Sequence, residues 1–419
     1  MVNELPVGRR VAQWRIRRNM TQQQFADRIG KSKSWVDKVE RGVRRLERVS
    51  SLREVAEALR IEMDALLPER PGRAVPGAGV ERLRAALARY HVPTPTRPPD
   101  LAELRVRIEH AEQSYRHARY PALLTVLPDL LDAAREARAT LPGRTTDGLL
   151  VPVYGLIAVT LIKVDQPELA WLAADRGMSV ALAVGEPRLA GVATVPLVQA
   201  LRGVGRHRSA VEAAVVAAHR LRPPGDARPA DPSLVGVLLS QAALAAAGRG
   251  DESGTRELIL RARALATTTG ADTGLSRSAV EGRDADVAAP RAAVGNLGPG
   301  LSPGGASFGS ASVAAVEVVA ETALGHVAAA TVRHERLLAA EGWRWLPPEH
   351  RAAYLLDAAR AYTLAGDMFR AGRTLLEAER TARSEVHDRP GVRDLVAVVA
   401  RAATAPAGLA RLAADLHVT

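Results

Sequence analysis

The sequence predicts an all-α protein: a small N-terminal bundle of five helices, followed by a long solenoid of helical hairpins. Three observations predict it. Apolar residues recur at helical spacing in nearly every segment, no run of alternating β-branched residues marks a strand, and Gly- or Pro-bearing turns break the pattern about every 15 to 20 residues. The 419 residues suit two to three folding units, and a hydrophobic content of 47% is enough to build their cores.

Residues 1–67 form the expected first domain. Residues 68–100 read as a linker: Pro68 to Gly77 is rich in Pro and Gly, a short helix is expected near 80–91, and Pro93 to Pro99 makes a second break. Residues 101–419 carry the hairpins, with long loops expected near 222–232 and 282–305.

Within the first domain, Val7, Val11 and Trp14 share one face of a helix over 7–18. Thr21 is a good N-cap for a second helix, and Gln24 three residues on completes a capping box. Gly30 ends that helix, where a left-handed residue costs least. Ser32 caps a third helix over 33–41, closed by Gly42. Helix, tight glycine turn and helix in so short a span is the pattern of a helix-turn-helix.

Charge placement points the same way. Residues 1–48 hold thirteen Lys or Arg against five Asp or Glu, a surplus of eight; the rest of the chain carries only about three of the eleven net positive charges. Three of the four lysines, Lys31, Lys33 and Lys38, fall within eight residues, which a general arginine bias does not explain. Clustered positive charge on a small domain is the footprint of phosphate binding.

Met20 to Gly30, with Thr21-Gln22-Gln23-Gln24-Phe25-Ala26 at its head, and then Ser32-Lys33-Ser34-Trp35-Val36-Asp37-Lys38-Val39-Glu40-Arg41-Gly42, resemble the XRE-type, or lambda-repressor-like, regulators. Ser51 to Leu59 continues the likeness as helix four and Glu62 to Leu67 as helix five. The resemblance implies a transcriptional regulator that reads double-stranded operator DNA, with Lys33, Ser34 and Lys38 in the base-contacting positions. Because lysine donates to guanine O6 or N7, a G-containing half-site is expected. Gln22 is implied to hold a phosphate, and Lys31, Arg44 and Arg45 to lie along the backbone or the minor groove. Arg15 and Glu40 are implied to pair structurally between the first and third helices. Trp35 departs from the small residue usual at its position; it either packs on a thymine methyl or a sugar, or fills the space between helices.

The remainder has a loose internal period. Leu355, Ala359 and Tyr362 lie on one helix, Gly366-Asp367 makes a turn, and Ala371, Leu375 and Ala378 lie on the next. Leu239, Ala243, Gly250, Ile259 and Ala262 repeat the spacing, as do Tyr154, Ala158, Leu161, Ala170 and Ala174. Val198, Leu201, Gly205, Ala210, Ala214 and Ala217 give a weaker copy. The units recur at roughly 40 residues rather than 34, so this resembles a degenerate tetratricopeptide array. Regulators joined to such arrays resemble the peptide-sensing quorum regulators of Gram-positive bacteria and a large actinobacterial set; Leu101 to Leu131, Phe308 to Asp367 and Arg389-Pro390-Gly391-Val392-Arg393 fit the second better. The likeness implies a homodimer reading paired half-sites, with the array either serving dimerisation alone or also binding a peptide or small-molecule effector on its concave face. The alternative is a protein-interaction scaffold with weak or incidental DNA binding.

Other chemistry finds little support. With no cysteine, disulfides, thiolate metal sites and cysteine catalysis are excluded. Gly305-Ala306-Ser307-Phe308-Gly309 matches a nucleophile elbow, but a Gly/Pro-rich stretch precedes it in place of the required strand. No Walker loop and no HExxH spacing occurs, so no catalytic residue, cofactor or metal is expected. Met1 to Pro6 shows no basic segment ahead of an apolar run, and Gly148 to Ile162, the longest uncharged apolar stretch, is shorter than a membrane span and contains Pro152. A soluble cytoplasmic protein with no membrane partner is the expectation.

Overall fold

The computed structural model describes residues 7–18, 20–44, 49–59, 77–90, 100–221, 231–268 and 308–418. These are helical throughout, with one 3-10 turn at Glu341–Trp345 and no strand among the described residues. The chain divides into two compact units, Met1–Val75 and Pro76–Thr419.

The first unit holds α1 (Val7–Arg17), α2 (Gln22–Arg28), α3 (Lys33–Glu40) and α4 (Val49–Leu59). Its core is Val11, Phe25, Ala26, Ile29, Val36, Val55, Ala56 and Leu59. The helix expected over 62–67 and the loop residue Arg45 lie outside the described residues.

The second unit begins with α5 (Gly77–Ala88) and continues as paired helices: α6 (Leu101–Arg116) with α7 (Tyr120–Thr140), α8 (Arg144–Lys163) with α9 (Pro167–Val184), α10 (Pro187–Gly203) with α11 (His207–Arg220), and α12 (Pro232–Ala247) with α13 (Glu252–Thr268). Then come α14 (Ser310–Ala323) with α15 (Val327–Ala339) and α16 (Pro348–Leu364) with α17 (Met368–Thr381). Three further helices, α18 (Arg383–His387), α19 (Pro390–Ala400) and α20 (Ala407–Asp415), close the unit. Most of the loop expected near 222–232, and all of that near 282–305, lies outside the described residues.

The hairpins form where small and large apolar residues alternate across facing helices. Leu355, Ala359 and Tyr362 on α16 are buried against Ala371, Leu375 and Ala378 on α17. Gly205, Gly250 and Gly366 take positive φ (74°, 75° and 78°) at the hairpin turns, and the Asp367 side chain accepts from Arg370 N at 2.9 Å to start α17. In the weaker copy, the buried stripe of α11 closes on Ala218 while Ala217 is half-buried. The apolar α8 is long enough to cross a membrane by length and composition, but neighbouring helices bury most of it.

The helix placed by sequence inside a linker belongs to this unit. Val80, Leu83, Ala86 and Leu87 form one stripe on α5, buried in the same core as α6 to α9. Gly79 permits the approach to α7, since a Cβ there would lie 2.8 Å from that of Leu124. Arg135 holds the end of α5 by donating to the carbonyls of Ala86 at 2.7 Å and Arg89 at 3.1 Å, where a cation also meets the negative end of the helix dipole.

The first helices of the hairpins, α6, α8, α10, α12, α14 and α16, touch in succession, and α16 comes back against α6. A buried charge cluster ties that return. Lys163 Nζ, at the end of α8, lies 2.5 Å from Glu349 Oε1 on α16 and 2.7 Å from Glu385 Oε1 on α18. Arg389 Nη1 reaches Glu385 Oε2 at 2.7 Å, and the Tyr120 hydroxyl donates to Glu385. Burial alone would raise the Glu385 carboxyl, but Lys163 and Arg389 hold it below its usual value. Burial likewise opposes the Lys163 charge, and Glu349 and Glu385 outweigh it, raising that ammonium above its usual value.

A carboxyl depressed by folding adds stability above its unfolded pKa and loses it as pH falls through the lower folded value. Glu385→Gln should therefore cost about 3–5 kcal/mol at neutral pH, because buried Arg389 loses its ion-pair partner and Lys163 one of its two. The melting temperatures of variant and parent should converge as the pH is taken down through the acidic range. A variant that melts with the parent at pH 7 contradicts this role.

Candidate nucleic-acid interface

Two caps and two glycines set the geometry. Thr21 Oγ1 accepts from Gln24 N at 3.2 Å while Gln24 Oε1 accepts from Thr21 N at 2.8 Å, so both ends of the capping box are closed. Gly30 takes φ +61° and lets Lys31 N return to Ala26 O at 2.9 Å. Ser32 Oγ then accepts from Trp35 N at 3.1 Å and starts α3. Gly42, at φ +75°, ends it.

α3 buries one stripe and exposes the other. Val36, Val39 and Glu40, at i, i+3 and i+4, face inward. Ser34 and Lys38 are exposed on the opposite side, with Arg41 beside them, and Lys33 is exposed in the first turn, at the N-terminal end of the helix. Asp37 sits between these cations and pairs with Arg41 at 3.3 Å. Sequence reasoning assigned no role to Asp37 or Arg41, although their spacing of four and eight residues from Lys33 marks the same face.

The rotation of α3 is held by a buried carboxylate. Glu40, 6% exposed, accepts from Arg15 Nε at 2.6 Å and Nη2 at 3.0 Å, and from Gln22 Nε2 at 2.9 Å. Arg15 Nη1 also donates to Met20 O at 2.7 Å, so one side chain of α1 ties down the entry to α2 and the end of α3. The structure thus brings Arg15, Gln22 and Glu40 together. Gln22, expected to hold a phosphate, directs one amide N–H at Glu40, because the fork of Arg15 leaves that buried carboxylate room for one more donor. Backbone approach is as tight: a Cβ on Gly8 of α1 would lie 1.9 Å from the Val39 carbonyl of α3.

Trp35 packs half-buried against the core edge, and the Arg44 guanidinium carbon lies 5.8 Å from its ring centroid. Of the two readings open in the sequence, the fold supports the filling one. Arg44 N closes on Lys38 O at 2.9 Å, which keeps the loop after Gly42 close to the end of α3. Lys31 is exposed, 3.9 Å from Glu54 of α4, a surface pair of small weight. No group of three or more His, Asp or Glu among the described residues is arranged to hold a metal ion.

Residues 6–69 match the family described as a helix-turn-helix domain. No curated protein sequence matches the chain. Among solved structures, it is similar to Bacillus thuringiensis PlcR in complex with the peptide PapR7 and DNA, at 11% identity, covering 66% of this chain and 99% of that one with a TM-score of 0.28. It is also similar to aspartyl phosphate phosphatase F from Bacillus subtilis, at 13% identity, covering 90% of this chain and 93% of that one with a TM-score of 0.38. Both superpose too loosely to bear on function.

Gly8→Ala should push α1 off α3 and destabilise the first unit by about 1–3 kcal/mol, since the obstacle is backbone and cannot rotate away. Hydrogen exchange resolved by peptide should speed up in α1 to α3 and stay unchanged in α8. Unchanged protection in α1 would show that the close approach of the two helices does not hold the unit together.

Proposed function

We propose that this chain, with its helix-turn-helix domain at residues 6–69, is a DNA-binding transcriptional regulator acting in the cytoplasm. The observation that carries the reading is the exposed cationic side of α3, held out by a saturated buried carboxylate on its other side. In such domains the second helix of the pair enters a major groove with its N-terminal residues against base edges. Lys33, Ser34 and Lys38 are the residues assigned to base edges, and Lys31 and Arg44 to phosphates; Arg45 is assigned there on sequence alone. Gln22 steadies α3 through Glu40 and, with its second amide N–H, is also assigned to a phosphate, while Trp35, part of α3 itself, packs against the core edge.

Two finer parts belong to the same reading. The protein acts as a homodimer on paired half-sites of double-stranded operator DNA, which doubles the length of sequence read. The hairpin array carries the dimer contact and takes a peptide or small-molecule effector, which shifts DNA affinity only so far as it favours one state of the protein over another. No catalysis is assigned.

Duplexes selected on the full chain from random sequence should yield a recurrent motif whose complex weakens steeply with salt while keeping its preference over random DNA. Lys33→Ala and Lys38→Ala should each cost about 1–3 kcal/mol and relax preference at one base pair, whereas Arg44→Ala should weaken all duplexes alike. Salt-sensitive binding with no recurrent motif would favour the scaffold reading instead.

A further inference from the structure

The inner helices α6, α8, α10, α12, α14 and α16 surround a cavity of about 480 Å³, within the range of small-molecule sites. Much of its wall is apolar, with Val195, Val237, Val316 and Val319 among the lining residues. The charges around it nearly all cancel. Lys163 and Arg389 are matched by Glu349 and Glu385, and Asp357 is paired with Arg360 at 2.6 Å.

Arg202 on α10 is left over. It lines the cavity and donates from Nη1 to the amide oxygen of Gln241 on α12 at 2.9 Å, and no carboxylate among the described residues lies within ion-pairing distance of it. Burial lowers its guanidinium from the ordinary arginine value, only partly offset by the charge of Asp357. His207, also on the cavity wall, has a buried Nδ1 with no hydrogen-bond partner among the described residues. Its ring is pressed against Gly248, where a Cβ would lie 2.8 Å from the His207 Cε1.

A half-buried cation whose side chain has one neutral partner and no ion pair is poorly compensated in a folded protein. A planar guanidinium fork matches a carboxylate in charge and in shape. We propose that the central cavity binds a small amphipathic molecule bearing one carboxylate, which Arg202 receives, with His207 beside it and the apolar body of the ligand along the valine-rich wall. This rests on the reading of the array as the sensing part of a regulator, and names the class of molecule it senses. A free acid of this kind occurs both on an aliphatic acid and on the end of a short apolar peptide, and the cavity has room for either.

The test is thermal melting of the full chain with octanoate, with octanamide, with acetyl-tetraalanine and with the C-terminal amide of that peptide. Octanoate or the free-acid peptide should raise the melting temperature where its amide does not, and which of the two does so identifies the source of the carboxylate. In Arg202→Met that shift should vanish, with affinity down about tenfold or more for the lost charge-assisted pair. The ligand-free variant should melt at or above the parent, because a cation with no ion-pair partner, only partly offset by Asp357, has been removed. Arg202→Lys should retain part of the response. Equal response to acid and amide, response to neither acid, an unchanged response in Arg202→Met, or a ligand-free Arg202→Met that melts well below the parent each overturns the proposal. Titrating the same samples with a selected duplex judges the regulator reading separately: loss of DNA binding in all of them speaks against that reading and leaves the cavity result standing.

Discussion

A single buried carboxylate orients the surface on which the functional reading turns. Glu40 lies inside the first unit with three side-chain donors on its two oxygens, from Arg15 and Gln22. A charge in that position is tolerable only when saturated, and an unpaired one costs several kcal/mol. Helices α1, α2 and α3 are therefore coupled: none can rotate without stripping a donor from Glu40. Because Val36, Val39 and Glu40 face inward, Ser34 and Lys38 must face outward, and Lys33 is exposed at the N-terminal end of the same helix. The close approach at Gly8 adds a steric limit to the same arrangement.

The second unit obeys a different constraint. Most of its stability is local, because each hairpin packs on its neighbours and the core runs as three consecutive clusters along the chain. One non-local clasp is superimposed: Lys163, Glu349, Glu385 and Arg389 bind the early hairpins to the late ones, with Tyr120 donating from 265 residues away. The clasp brings α16 back to α6, so the inner helices surround a cavity in place of an open groove. A ligand held there touches helices from both ends of the unit, a placement from which small differences in binding can favour one arrangement of the array over another.

What could be read in the sequence was what local chemistry determines. Thr21 with Gln24, Ser32, Gly30 and Gly42 announce the turn and both helix starts because each acts within a few residues of itself. Hairpin positions such as Leu355, Ala359 and Ala371 were visible for the same reason. Long-range partners were not, apart from Arg15 with Glu40, a pair the family resemblance implied. Lys163 stands 222 positions from Glu385, and no periodicity connects them. Gln22 could not be seen to serve Glu40, since that depends on how two helices cross. The linker assignment for α5 failed to anticipate its packing because Pro and Gly on both sides mark chain breaks, not where the segment between them docks. Asp37 and Arg41 could have been found, as they repeat the spacing of Lys33.

The central claim is that α3 enters a major groove with its lysines against guanine edges. Partial methylation of a selected duplex with dimethyl sulfate, followed by separation of bound from free DNA, tests it most directly, since the reagent marks guanine N7 in the major groove and adenine N3 in the minor groove. Guanine methylation at a few positions inside the footprint should block binding, with adenine methylation there far weaker. Interference at adenine N3 with none at guanine N7 would contradict the account.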